Sequence, residues 1–426
     1  MKQFWKPTTM AVMLWALFGS CNSDSGDDMV IDMLSEIHPI ALTEDQRAIR
    51  DNNNEFACRL FRAVEEMKQE KEKSTILSPL SVTYMLGMLN AGADGVTRQQ
   101  ITDVLGLGSS VQGINEYCKK MIEEAPKVDK GVTVKIGNSI FVNSAMGINL
   151  LKQYSNDMNT YYHAEIDALD FTKNNSLDII NKWCKKSTDG MIPSVLDKLD
   201  AQAAMYLLNA IYFKATWTEK FDPNDTRDMD FTKGDGTIVN RQLMHRKAVA
   251  MCCQDDVCSL LSLPYGSCGY IMFVLLPNEG KTITDVINKL SSQYLTQLMD
   301  NEHAREVDIL MPRFTTSSDI GLVDVLSSMG MPQAFDEVNA EFPNMAERNS
   351  HSYNMFVKAI KQVAKIEVDE QGTKAAAVTV TKMYGAMDPG PQQYEKDEFH
   401  ATRPFVYLIT EGSTHSIFFM GTYRGD

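Results

Sequence analysis

Residues Ala203 to Trp217 read AAMYLLNAIYFKATW, a run that is apolar on both of the faces a strand would present. Successive side chains of a strand point to opposite faces, so this run predicts a strand in the middle of a sheet covered on both sides. Upstream the pattern is helical: Thr43 with Gln46 spells a capping box, and Phe56, Leu60, Phe61, Val64 and Met67 keep helical spacing. A second helix starts near Ser81, carries Val82, Met85, Leu86 and Leu89 on one face and stops at Gly92 and Gly95. Another capping box, Thr97 with Gln100, opens the next. Strands are predicted where Val132, Val134 and Ile136 alternate, and at 259–264, 270–276, 307–311, 363–368 and 404–409. Helices and strands come in blocks without a βαβ rhythm, so the class is α+β. A length of 426 residues alone suggests two or three domains. Yet no repeat or low-complexity linker breaks the chain between Thr43 and Asp426, which favours one large domain.

With 44% hydrophobic and 23% charged residues the chain can bury a substantial core. The formal net charge of −15 argues against nucleic acid or other polyanions as partners, because binding them needs clustered Lys and Arg.

Residues 1–20 have the form of a secretory signal: Lys2 and Lys6, an apolar run from Met10 to Phe18, then Gly19 and Ser20. The run is too short to span a bilayer. Its ending, LFGSC, resembles the lipobox of bacterial lipoproteins, which makes Cys21 the expected site of lipidation. Ordinary signal cleavage beside an incidental cysteine is the alternative. The following NSDSGDD resembles the surface-export tag of lipoproteins from the Bacteroides group, so a protein tethered to the outer membrane of such a bacterium is expected, with residues 21–42 as a flexible tether.

Seven cysteines remain after Cys21, an odd number that cannot all pair within one chain. Cys252, Cys253, Cys258 and Cys268 match no zinc spacing and read as buried small apolar residues, so no metal is expected. No Gly-x-Ser-x-Gly, His-Glu-x-x-His, phosphate loop or dinucleotide fingerprint occurs, and the histidines at 38, 163, 245, 303, 351, 400 and 415 are scattered. No catalytic residue and no cofactor are expected.

Six segments in order carry a resemblance: ILSPLSVTYMLGMLNAGADGVTRQQI (76–101), NAIYFKATWTEKFD (209–222), DILMPRF (308–314), GMPQAF (330–335), IEVDEQGTKAAAVT (366–379), and RPFVYLIT with FFMG (403–421). Together they resemble the serpin family over nearly all of residues 43–426. The resemblance implies a single domain of about nine helices and three β-sheets, with an exposed reactive-centre loop at about 370–402. It also implies suicide trapping: a serine protease, or a papain-like cysteine protease, cuts the loop, and the cleaved strand inserts into the central sheet before the acyl-enzyme is hydrolysed.

The loop segment EQGTKAAAVTVTKMYGAM (370–387) has the composition that insertion demands. A central strand tolerates no proline and keeps charge off its buried face. Thr373, Ala375, Ala377, Thr379, Thr381 and Met383 form one uncharged set, while Lys374 and Lys382 fall in the other with Ala376. Gly372 supplies the bend after Glu370. Glu370, Gly372, Thr373 and the three alanines resemble the hinge of the family's inhibitors. The family register, seventeen residues counted from Glu370, assigns the cut bond to Ala386–Met387. Lys382, Met383 and Tyr384 are alternatives. Ala386 implies elastase-like or subtilisin-like targets, held as a covalent acyl complex by a monomeric inhibitor.

The resemblance also assigns Ser78, Ser81, Asn209 and Gln362 to a polar cluster beneath the opening strands and Trp217 to the site where insertion begins. Gln362 stands where the family commonly has histidine. Glutamine still donates and accepts hydrogen bonds, so the cluster is expected to persist without a pH response. A non-inhibitory serpin serving as a binding module, and a surface protein whose loop is simply cut, remain open alternatives.

Overall fold

Local rules account for the first helix. In α1 (Glu44–Met67) the Thr43 hydroxyl accepts the Gln46 N–H at 3.2 Å and the Gln46 side chain accepts the Thr43 N–H at 3.1 Å, the predicted capping box. Its apolar stripe of Phe56, Leu60, Phe61 and Val64 is buried. The computed structural model describes residues 37–106, 108, 110–347, 355–373 and 394–426. The packed chain reaches back into the expected tether: Ile37 and Ile40 are buried, and the His38 N–H donates to the Val128 carbonyl at 2.8 Å.

After β1 (Thr75–Leu77), helix α2 (Pro79–Gly92) is capped by Ser78 and buried nearly all round. A helix apolar on every side belongs in the interior. The second predicted capping box is not formed. Helix α3 (Gly95–Leu105) starts two residues before Thr97, and the Glu341 carboxylate, from far along the chain, accepts the Val96 N–H at 2.9 Å. Thr97 and Gln100 instead accept the backbone N–H groups of Glu341 and Gln333 at 3.0 Å each.

The chain continues through α4 (Val111–Glu124), β2 (Val132–Asn143), α5 (Lys152–Tyr162), β3 (Glu165–Leu169), α6 (Asn174–Ser187) and β4 (Met205–Thr216). Strands β5 (Arg227–Thr232), β6 (Ile238–Gln254), β7 (Cys258–Tyr265) and β8 (Tyr270–Pro277) follow, then α7 (Ile283–Lys289), α8 (Ser292–Asp300), β9 (His303–Pro312), β10 (Phe314–Gly321) and α9 (Val323–Ser328). The carboxyl part supplies β11 (Lys361–Asp369), β12 (Gly372–Thr373), β13 (Lys396–His400), β14 (Phe405–Glu411) and β15 (Ile417–Tyr423). Nine α-helices are thus present among the described residues.

One sheet has the order β10-β11-β12-β4-β2-β3. The others expected from the resemblance are hydrogen-bonded into one nine-stranded sheet, because the long β6 pairs with β5 and β9 along its first part and with β7 at its end. Helix α2 packs on both β4 and β15 and so lies between the two sheets. The opposite face of β4 is covered by α6, where Phe141, Ile180, Trp183, Leu208 and Ala210 form a second apolar cluster. That double cover is the reason the 203–217 run is apolar on both faces.

Candidate functional site

The site forms where β11 turns back into β12. Asp369 accepts the N–H groups of Gln371 at 2.8 Å and Gly372 at 3.2 Å, closing a tight turn. Gly372 has φ +147°, and a Cβ there would collide with the Ala215 carbonyl oxygen and lie 2.7 Å from Thr216 Cα. Only glycine fits. The next residue, Thr373, stands in both ladders at once, opposite Val368 of β11 and Ala215 of β4. It is 1% exposed and its hydroxyl lies 2.6 Å from the Tyr265 hydroxyl.

Trp217 covers this junction. Its ring stacks on Tyr265 at 4.4 Å, its indole N–H donates to the Asp369 carbonyl at 2.9 Å, and its backbone N–H donates to Gln371 at 2.9 Å. Glu370, 3% exposed, is gripped from the other side: Arg313 Nε lies 2.6 and 2.7 Å from its two oxygens, and the Thr226 hydroxyl donates to one of them. Burial alone would raise this carboxyl, but the hydrogen bonds from Arg313 and Thr226 outweigh it and hold the group below the usual carboxylate range.

The polar cluster lies lower between β4 and β11. Gln362 clasps the start of α2 through both ends of its amide: Nε2 donates to the Ser78 carbonyl at 2.6 Å and Oε1 accepts the Ser78 N–H at 3.1 Å. The Ser81 hydroxyl donates to Asn209 Oδ1, and Asn209 Nδ2 donates to Asn138 Oδ1 at 2.8 Å. Asn138, 2% exposed, continues the chain by donating to the Tyr162 carbonyl at 2.7 Å. Ser78, Ser81, Asn209 and Gln362 are thus brought together, and the network extends to a residue that sequence reading missed. The available signal was an asparagine inside a strand run, a position that residue avoids. Arg313, Thr226 and Tyr265 were also missed, since nothing local announces their partners.

Below Thr373 the sheet has a seam. Among the described residues, the edge of β4 from Met205 to Lys214 and the edge of β11 from Lys361 to Glu367 have no strand partner across it. A cavity of about 290 Å³ opens at the foot of the seam, lined by Met85, Leu89, Met205, Leu207, Met345 and Phe356 among others. The Lys358–Asp200 ion pair stands at its margin.

Ala375, Ala376, Ala377, Lys382, Met383, Tyr384, Ala386, Met387 and Cys21 lie outside the described residues. Six of the seven described cysteines are buried, and burial pushes the Cys58 and Cys118 thiols up to about 12. Away from the seam, Glu302 is 7% exposed; the Ser262 hydroxyl donates to one of its oxygens and the other has no partner among the described residues. Burial pushes its carboxyl up to about 8, against a weaker lowering by Ser262.

Comparison with known proteins agrees with this architecture. The family model described as "Serpin (serine protease inhibitor)" matches residues 51–424. Serpin A9 of Homo sapiens is 30% identical, covering 87% of each chain, and leukocyte elastase inhibitor of Equus caballus is 28% identical over 87% of this chain and 97% of its own. Among solved structures, the thermophilic serpin tengpin in its native state superposes with a TM-score of 0.79 at 25% identity, covering 92% of this chain and 96% of its own. Human thyroxine-binding globulin, solved in complex with thyroxine, superposes at 0.77 with 27% identity, covering 89% of this chain and 98% of its own. The chain belongs to the serpin family.

Proposed function

We propose that this serpin is an inhibitor that traps serine proteases by inserting its cleaved loop into the seam between β4 and β11. The observation that carries the reading is Thr373, which already stands in register between the two strands. Continuing that antiparallel register, Ala375, Ala377, Thr379 and Thr381 follow Thr373 on the buried face, and all are small and uncharged. Lys374 and Lys382 fall on the outer face. Thr379 arrives opposite both Asn209 and Gln362, so a hydroxyl meets the polar cluster instead of an aliphatic chain. The cavity at the foot of the seam offers room for inserted side chains.

The cut bond is Ala386–Met387 in this reading, with small-residue-directed proteases of the elastase and subtilisin type as targets. The test mixes the chain after Cys21 with pancreatic elastase, subtilisin, papain, trypsin and chymotrypsin. A denaturant-resistant complex with elastase or subtilisin, and a released peptide beginning at Met387, are expected. Loop cleavage without any complex would favour the non-inhibitory alternative.

The amino-terminal segment completes the proposal: lipid on Cys21 tethers the inhibitor to the outer membrane, outside the cell. Cys21→Ser is expected to move the protein from the membrane to the soluble fraction. Unchanged fractionation would refute the anchor.

A further inference from the structure

We propose that the cavity lined by α2, the start of β4 and the segment leading into β11 is a binding site, in the intact protein, for a small uncharged amphiphile: an aliphatic alcohol or amide. It lies at the far end of β4 from the hinge contact at Ala215. Binding there needs neither cleavage nor insertion of the loop, so it stands apart from the inhibitory reading.

The lining comes from three parts of the chain: Met85 and Leu89 of α2, Met205 and Leu207 of β4, and Met345 and Phe356 from the segments before β11. Apolar cavities exclude water, and one of about 150 Å³ takes up benzene. At about 290 Å³ this cavity is roughly twice that size and has room for an aliphatic body of about eight to ten carbons. Methionine supplies half of those six side chains, and its unbranched thioether adapts to the shape of an occupant.

Polar groups reach the cavity from the strand edge. The Asn143 N–H donates to the Ala204 carbonyl at 2.9 Å, so residue 204 turns its backbone groups toward β2. Alternation in an antiparallel ladder then turns those of Met205 and Leu207 away from β2 and toward the seam. The same parity sends the Trp217 N–H across to Gln371 at the other end.

The margin decides the head group. Lys358 and Asp200 line the cavity as an ion pair, with Glu337 near the lysine and Lys198 near the aspartate. Each sign is thus balanced. A carboxylate drawn to Lys358 is repelled by Asp200, and an ammonium drawn to Asp200 is repelled by Lys358. A hydroxyl or primary amide donates to the one and accepts from the other.

The test is calorimetric titration of the intact chain after Cys21 with 1-octanol, octanamide, octanoate and octylamine, and with a series of longer and shorter alcohols. Octanol and octanamide are expected to bind at a single site, and the two charged compounds at least tenfold more weakly. Each added methylene should tighten binding about fourfold until the cavity is full. Met205→Trp, which fills the space, should abolish binding, and Met355→Trp, from another part of the lining, gives the same reading if the first variant does not fold. Lys358→Gln, which leaves Asp200 without its cation, should bind octylamine at least fivefold more tightly than wild type does. Absence of saturable octanol binding, or binding that survives both tryptophan variants when they are folded, would overturn the site. Octanoate or octylamine binding wild type as tightly as octanol would overturn the head-group assignment.

Discussion

Thr373→Arg is expected to turn the inhibitor into a substrate: the loop is cut at the wild-type rate, while the yield of covalent complex falls about 100-fold or more. Thr373 is the first inserted residue, with its side chain against the Trp217–Tyr265 stack at 1% exposure. Thr373 is already seated in the intact protein, so an arginine there is held out of the sheet before cleavage and insertion must then desolvate its guanidinium; an uncompensated buried ion costs several kcal/mol. A barrier raised by about 3 kcal/mol slows insertion by two orders of magnitude. Deacylation, which involves none of these residues, then wins. Thr373→Ser, which keeps the hydroxyl, should behave as wild type. Gel densitometry of complex against cleaved product reads the partition, and undiminished complex with the arginine variant would refute the role given to the hinge.

Glu302→Gln is expected to stabilise the protein at alkaline pH and to leave it unchanged near pH 4.5. The buried carboxyl ionises at about 8 in the folded protein, whereas the unfolded chain releases the proton near the ordinary 4.5. The folded state therefore binds more protons across that window, and its stability falls as pH rises from about 4.5 to 8 and is level above it. At 1.36 kcal/mol per pKa unit the full loss is roughly 5 kcal/mol. Glutamine keeps the shape and the Ser262 contact without a charge to desolvate. Urea-unfolding curves for both proteins between pH 4.5 and 9.5 should diverge with rising pH, and parallel profiles would contradict the burial of an ionisable Glu302.

The hinge and Glu302 illustrate different kinds of legibility. Small residues after Gly372 can be judged from the sequence, because the demands of a central strand on composition are general. Glu302 gives no such sign. It is one of many acidic residues, and its carboxyl is pushed up only because the fold buries it, the Ser262 hydroxyl that β7 brings working weakly the other way. Arg313 was visible within DILMPRF, yet its grip on Glu370 joins positions far apart in the chain.

The two capping boxes draw the line most sharply. Thr43–Gln46 and Thr97–Gln100 share one spelling, and only the first is a cap. A cap closes within four residues, so it forms when nothing else competes, as at the exposed start of α1. At α3 a distant segment packs against the helix start, and Glu341 takes the free N–H while Thr97 and Gln100 turn to hold that segment. By itself the sequence determined the α+β class, the covered strand around Asn209, the family and the composition of the hinge, since each depends on local period or on residues close together in the chain. Only the tertiary structure decided the register of Thr373 in the sheet, the seam that the described residues leave between β4 and β11 with its cavity, and the ionisation of Glu302. Those depend on which remote surfaces meet, and burial and pairing between them are not local properties of any segment.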